Sequence, residues 1–307
     1  MAVKSVVVRI NNQDITLEWN ESNGAYEKQI TAPSETSYNQ PEHYYPVTVT
    51  ATDTAGNTTT IDSEDETFGE ALRLVVKEKT PPVIDITAPG SGAIIASDKP
   101  TIAFTLDDEA NGSGVNLSTL ALKIDSGESI GSESPGMTCT PTETGYTCSY
   151  QVQTPLSAGS HVVTIDVQDN DGNQAIQKSV TFTVDTSTPT LDVTYPTEGL
   201  ETNQPEMTVQ IKTNSSDMAS VTLTMQLNGA DQGAITVETD GTASKTITLQ
   251  EGQNTIYVKA TAANGLFTEV TRHVTLDTVG PVFDNVSIVP NPADEGQTMM
   301  VSVKVHD

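Results

Sequence analysis

Basic residues are scarce in this chain: 14 Lys and Arg stand against 41 Asp and Glu, a net charge of −27 over 307 residues. Nucleic-acid binding needs clustered cations to neutralise phosphates, so that partner is excluded. No stretch approaches the ~20 consecutive apolar residues of a membrane-spanning helix, so no membrane span is expected. The N-terminal Met1-Ala2-Val3-Lys4-Ser5-Val6-Val7-Val8 runs straight into a strand pattern. It has no basic n-region, apolar core or small-residue cleavage site, so no secretory signal is visible. The expectation is a leader lost from a longer chain or another exit, such as virion assembly and lysis. Cysteine is limited to two residues, which cannot close a zinc site. His43, His161, His273 and His306 fall in separate repeats without a partner motif, on surfaces or strand edges. With no nucleophile elbow and no glycine loop to cradle phosphate, no catalytic residue is assigned, and the protein is not expected to be an enzyme.

What the chain does contain is repetition, which sets the architecture. Pro82-Val83-Ile84-Asp85-Ile86-Thr87-Ala88-Pro89 recurs as Pro189-Thr190-Leu191-Asp192-Val193-Thr194-Tyr195-Pro196, and more loosely from Pro281-Val282-Phe283 to Val289-Pro290. Proline suits the start of an edge strand, where a missing N–H costs nothing. A second signature is an alternating strand that ends in an Asx-Gly turn. Asp53-Thr54-Ala55-Gly56-Asn57 closes one copy, Asp169-Asn170-Asp171-Gly172-Asn173 the next, and Gly265 marks the third. Each leads into a last strand, at 72–76, 180–184 and 274–276.

The Asp-x-x-Gly-Asn turn, the final strand and the proline-opened next unit resemble the bacterial Ig-like repeats of surface adhesins and phage virion proteins. The fold class implied is all-β: tandem immunoglobulin-like β-sandwiches. Residues 188–278 read in order as strands A (191–195), B (207–212), C (221–227), a segment at 235–238, E (245–249), F (256–262) and G (270–276). Residues 81–187 follow the same plan. The first unit, 1–80, opens differently. Val6-Val7-Val8-Arg9-Ile10-Asn11-Asn12 aligns with Leu223-Thr224-Met225-Gln226-Leu227-Asn228-Gly229, which is strand C, and Lys28-Gln29-Ile30-Thr31 aligns with Lys245-Thr246-Ile247-Thr248. Strands A and B are missing from it. Residues 279–307 supply the complement: a domain-opening signature, then Met300-Val301-Ser302-Val303-Lys304-Val305-His306-Asp307, which matches the strand that ends at Asp108. Val301, Val303 and Val305 are therefore expected to enter a core shared with Val6, Val8 and Ile10 of another copy, with Val282 and Phe283 as further residues of the assembly interface. Alternation requires it, because a one-residue slip would turn the valines to solvent.

Cys139 and Cys148 would face each other across a hairpin if 142–145 form its turn, as a disulfide in an oxidising compartment or as two free thiols. Asp169, Asp171 and Asn173 offer oxygens around a glycine as calcium prefers, with Asp107, Asp108 and Glu109 as further candidates. Turn chemistry explains the same motif, and the other copies carry one carboxylate or none. No other cofactor is expected. Trp19, Tyr44 and Tyr45 are expected to pack in the first unit or make a tyrosine-corner-like bond, with a carbohydrate platform as the alternative.

The leading expectation is a structural subunit of an extracellular or virion-associated filament, joined head-to-tail by strand donation. The alternative is a stalk fragment of a cell-surface adhesin, or a phage tail or fibre protein that binds a host ligand.

Overall fold

The computed structural model describes residues 2–214 and 221–307. Alternating β-branched and polar residues fold as strands throughout. The chain separates into two compact units, Met1–Asp185 and Thr186–Asp307.

The first domain contains β1 (Val3–Ile10), β2 (Gln13–Thr16), β3 (Glu18–Asn20), β4 (Ala25–Glu27), β5 (Tyr45–Pro46), β6 (Thr48–Asp53), β7 (Thr58–Ile61) and β8 (Arg73–Leu74). The second contains β9 (Val83–Ala88), β10 (Ile94–Ile95), β11 (Thr101–Asp107), β12 (Val115–Ile124), β13 (Met137–Pro141), β14 (Gly145–Gln151), β15 (Gly159–Asp169) and β16 (Lys178–Val184). The third contains β17 (Thr190–Tyr195), β18 (Leu200–Thr202), β19 (Glu206–Asn214), β20 (Thr222–Leu227), β21 (Ala230–Asp231), β22 (Thr242–Thr248), β23 (Gly252–Thr261) and β24 (Phe267–Leu276). A terminal hairpin follows, β25 (Val282–Val289) with β26 (Met300–His306).

The second and third domains are complete sandwiches. Sheet β13-β14-β11-β9 faces β10-β16-β15-β12 in one, and β17-β19-β22 faces β18-β24-β23-β20-β21 in the other. Each encloses its own core of seventeen buried residues. Phe104, Phe182 and Leu122 sit at the centre of the first core, and Met225, Ile256 and Ile211 at the centre of the second. Burial at ~25 cal/mol per Å² of apolar surface is what holds such sheets together.

The first domain has only half of this. Its sheet β2-β1-β6-β7 reproduces the C′-C-F-G order of the third domain. The pairing Val6↔Ala51 and Val8↔Val49 repeats Leu223↔Ala260 and Met225↔Val258. Strand G is split. β7 pairs with β6, residues 62–72 loop out, and β8 resumes the strand opposite Tyr45. Residues 72–76 are thus only the second half of the last strand, because an insertion interrupts it. No described strand of this domain occupies the A or B position, and residues 28–31 form no strand. In the third domain the matching segment, β22, takes its hydrogen bonds from strand B. Without that partner the backbone has nothing to pair with. Among the described residues of this domain, Tyr45 and Val47 are the only buried hydrophobic ones.

Candidate assembly surfaces and the carboxylate junction

The terminal hairpin carries the A–B geometry of the complete domains. β25 and β26 pair antiparallel, with Phe283↔Val305, Val286↔Val303 and Ile288↔Val301 in register. Their counterparts are Ile84↔Leu106 and Ile86↔Phe104 in β9–β11. The decisive difference is exposure. Val209, Ile211 and Thr213 on strand B of the third domain are 0%, 2% and 1% exposed, whereas Val301, Val303 and Val305 are 58%, 50% and 49% exposed. Val282, Phe283, Val286 and Ile288 on the partner strand are exposed as well. A two-stranded hairpin has no second layer to cover its apolar face, which is why it is not independently stable.

The first domain presents the matching gap. Val6, Val8 and Ile10 are only half-buried, against Leu223, Met225 and Leu227, which are buried at the same positions of the third domain. Ile30 is 46% exposed, while its counterpart Ile247 is 2% exposed. A cleft of about 300 Å³ opens there, lined by Ile10, Ile15, Ile30 and Leu74 among others. Val301, Val303, Val305 and Phe283 thus share one uncovered apolar face of the hairpin, and Val6, Val8 and Ile10 lie half-buried on the first domain. Val282 does not join them, because it pairs with His306 on the opposite face, where its counterpart Val83 is 63% exposed even in a complete sandwich.

Cys139 and Cys148 lie directly opposite each other in the β13–β14 pairing and are joined by a disulfide, with Cα atoms 4.1 Å apart. The Cys148 side of the bridge is buried in the core of the second domain.

The Asp-rich turn of the second domain is part of a junction with the first. Asp169 Oδ1 accepts the Asn173 backbone N–H at 2.8 Å, and its Oδ2 accepts the Asn173 amide at 2.7 Å. Asp53 and Asn57 make the same pair of bonds in the first domain. The carboxylate thus serves its own turn, and Gly172 takes the φ of 92° that the turn requires. Asp171 reaches across instead: its Oδ2 accepts the Thr36 hydroxyl at 2.5 Å and the Glu78 N–H at 3.0 Å. Lys77 Nζ donates to the Asp171 carbonyl, and Asn173 donates to the Glu78 carbonyl. Asn39 of the first domain donates to the carbonyls of Asn111 and Gly112.

Beside these bonds lies a group that the motif does not contain. Carboxylate oxygens of Glu78, Asp108 and Glu109 gather within 4.8 Å of one another. Glu78 comes from the connector between the domains and the other two from the loop after β11. Asp108 is buried, Glu78 half-buried and Glu109 exposed. Burial pushes the Asp108 carboxyl above the usual carboxylate range. Burial first, and the neighbouring Glu109 second, do the same to Glu78. Asp108 and Glu109 are two of the calcium candidates read from the sequence; Glu78 is the member that spacing could not reveal, because it meets them only through the domain junction.

Two expectations need correction. Trp19 does not pack into the first domain; it lies on the separate β3–β4 hairpin, is 54% exposed and stands edge-on to Tyr26 at 5.2 Å. His161 is not at a surface or strand edge. It points inward from β15, is buried, and bonds to Asp125 and the Ser157 carbonyl. Tyr45, by contrast, is buried with its hydroxyl on the Glu35 carbonyl, and Tyr44 bonds to Glu42.

Residues 189–278 match the sequence profile of the family glucodextranase, domain B, which spans the third domain. No curated protein matches the chain by sequence. Among solved structures, fibronectin(III)-like modules of Clostridium thermocellum CbhA share 16% identity with a TM-score of 0.41, over 63% of this chain and 94% of theirs. Sidekick-1 immunoglobulin domains 1–5 share 12% identity with a TM-score of 0.36, over 99% of this chain and 60% of theirs. At such identities and scores these likenesses carry nothing about function. The fold is tandem Ig-like sandwiches, and the disulfide fits an extracellular protein; among the described residues no helix is long and apolar enough to cross a membrane.

Proposed function

We propose that this protein is a non-catalytic structural subunit that assembles head-to-tail by strand complementation. The hairpin β25–β26 of one copy enters the first domain of another as its strands A and B. The observation that carries this reading is the pair of matching deficits. Strand-B positions buried in two complete sandwiches are half-exposed in the hairpin, and the first domain lacks the strands that would cover Val6, Val8, Ile10 and Ile30. Both are apolar sheet faces without the second layer that covers them in the complete sandwiches. Each copy offers both halves at different places, so the contact is heterologous and propagates as a filament, or as a ring if the rotation closes. The setting is outside the cell, in a surface stalk or a virion.

The experiment is size measurement of the pure protein across a dilution series, with negative-stain imaging. Ordered multimers that disappear when residues 281–307 are deleted support the reading. A persistent monomer with a stable first domain overturns it. A persistent monomer whose first domain melts early favours a stalk segment whose missing strands come from flanking chain.

A further inference from the structure

We infer that Glu78, Asp108 and Glu109 form a calcium site that clamps the first domain to the second. Three features carry this beyond an acidic cluster. First, Asp108 is 7% exposed, and its Oδ1 has no hydrogen-bond partner. The other oxygen, Oδ2, accepts the Gly114 N–H at 2.7 Å, which fixes the carboxylate and leaves Oδ1 free among its neighbours. Second, Glu78 is held in the same way: Oε1 accepts the Ser113 N–H, while Oε2 is buried without a partner. Buried carboxylate oxygens are normally satisfied, and two acids that each carry an orphaned oxygen, gathered with a third, form a set that a bound cation would satisfy. Third, that cation is no side chain. Among the described residues, no Lys, Arg or His forms an ion pair with any of the three.

The chemistry selects a hard ion, because every ligand is oxygen. Oxygens on opposite sides of Ca²⁺ stand about 4.6–5.2 Å apart at its usual bond lengths, and the three acids lie within that span. Irregular loop ligands of this kind suit the flexible shell of calcium better than the strict octahedron of Mg²⁺. Remaining positions fall to water from a cleft of about 520 Å³ that Asp108 and Glu109 line together with Glu35, Asn39 and Tyr146. The function is mechanical. Glu78 sits in the connector and Asp108–Glu109 on the second domain, so the ion ties the joint and makes its stiffness depend on calcium. This inference does not rest on strand complementation.

The test is calorimetric titration of CaCl₂ into the full-length, chelator-treated protein, alongside melting curves in EDTA and in calcium. One site is expected, weakened at least tenfold by Glu109→Gln and abolished by Asp108→Asn. Glu109 is exposed, so its variant folds whatever the outcome. Melting has a signature of its own. In EDTA the variants melt at or above the wild type, because one of three crowded charges is gone. In calcium at a hundredfold excess over Kd the wild type rises by on the order of 5–10 °C and the variants do not. Absence of binding heat, binding unchanged in both variants, or equal affinity for MgCl₂ would each overturn the assignment.

Discussion

Replacing Val303 with Asp on the terminal hairpin is the sharpest perturbation of the proposed assembly. Val303 is 50% exposed in the free hairpin, while its counterparts Ile211 and Phe104 are 2% and 0% exposed inside complete sandwiches. Burying the remaining half of a valine yields roughly 1 kcal/mol, about half the value for full burial. Placing an unpaired carboxylate in that core costs several kcal/mol more, or else forces its protonation. The sum is ~4 kcal/mol, which weakens self-association about a thousandfold. Sedimentation or mass photometry over a dilution series reads this directly. Ser302→Asp is the control, because residue 302 alternates onto the opposite face of the same strand. It should shift association by less than about threefold, within the ±0.5 kcal/mol usual for surface changes. If Ser302→Asp disrupts assembly and Val303→Asp does not, the strand enters in the other register, and the shared core of Val301, Val303 and Val305 with Val6, Val8 and Ile10 is wrong.

Further outcomes are expected elsewhere. Joining residues 279–307 ahead of Met1 should give a closed, soluble first domain, provided the B–C connection is long enough. That connection has seven residues in the second domain (108–114), whereas Asp307, Met1 and Ala2 supply three, so an insert of about four Gly/Ser residues is needed; a first-domain melt no higher than that of the protein lacking 279–307 would refute it. Removing the Cys139–Cys148 bridge by double Ser substitution should cost the second domain about 2.5 kcal/mol in the chain-entropy description, read by denaturant melts with and without reductant. Gly145→Ala should loosen β14 from β11, because its Cβ would stand 1.9 Å from the Leu106 carbonyl; a loss of roughly 1–3 kcal/mol is expected, and an unchanged melt would show that the close approach is not real. For His161, burial alone lowers the pKa, but the Ser157 carbonyl and the Asp125 carboxylate outweigh it, so the value lies above the ordinary 6.5. Asp125 is shifted below its ordinary 3.8, since the Val162 N–H and His161 outweigh its burial. The pair's stabilisation is therefore full between 3.8 and 6.5; the His161 share is lost as pH rises above 6.5 through its raised value, and the Asp125 share as pH falls below 3.8 through its lowered one. His161→Gln should flatten the melting profile on that alkaline side.

Much of the fold was legible because strand alternation and turn chemistry are local. The valines of 301–305 and the Asp-x-x-Gly-Asn turns announce their places through spacing alone. The half-empty first domain was legible too, since Val6–Asn12 aligns with strand C rather than strand A. What escaped was tertiary. Asp169 looked like a calcium ligand, yet its oxygens are occupied within the turn. The orphaned oxygens belong to Glu78 and Asp108, thirty positions apart and joined only by packing between domains. His161 looked peripheral because its partner Asp125 sits on the loop after β12, which pairing with β15 brings alongside. The split of strand G is invisible to periodicity because both halves keep their alternation around the inserted loop.

The most direct measurement of strand complementation is covalent trapping between copies. In the third domain Thr208 of strand B touches Thr246 of strand E, with hydroxyls 2.9 Å apart on the exposed face. In the register that matches Val303 to Phe104 and Ile211, the equivalent residues are Met300 on the hairpin and Gln29 in the unpaired segment of the first domain. A Met300→Cys/Gln29→Cys variant, oxidised and run on a non-reducing gel, should give a ladder of covalent multimers that collapses to monomer on reduction. Bands at monomer size alone, under conditions where both thiols are oxidised, would contradict assembly between copies.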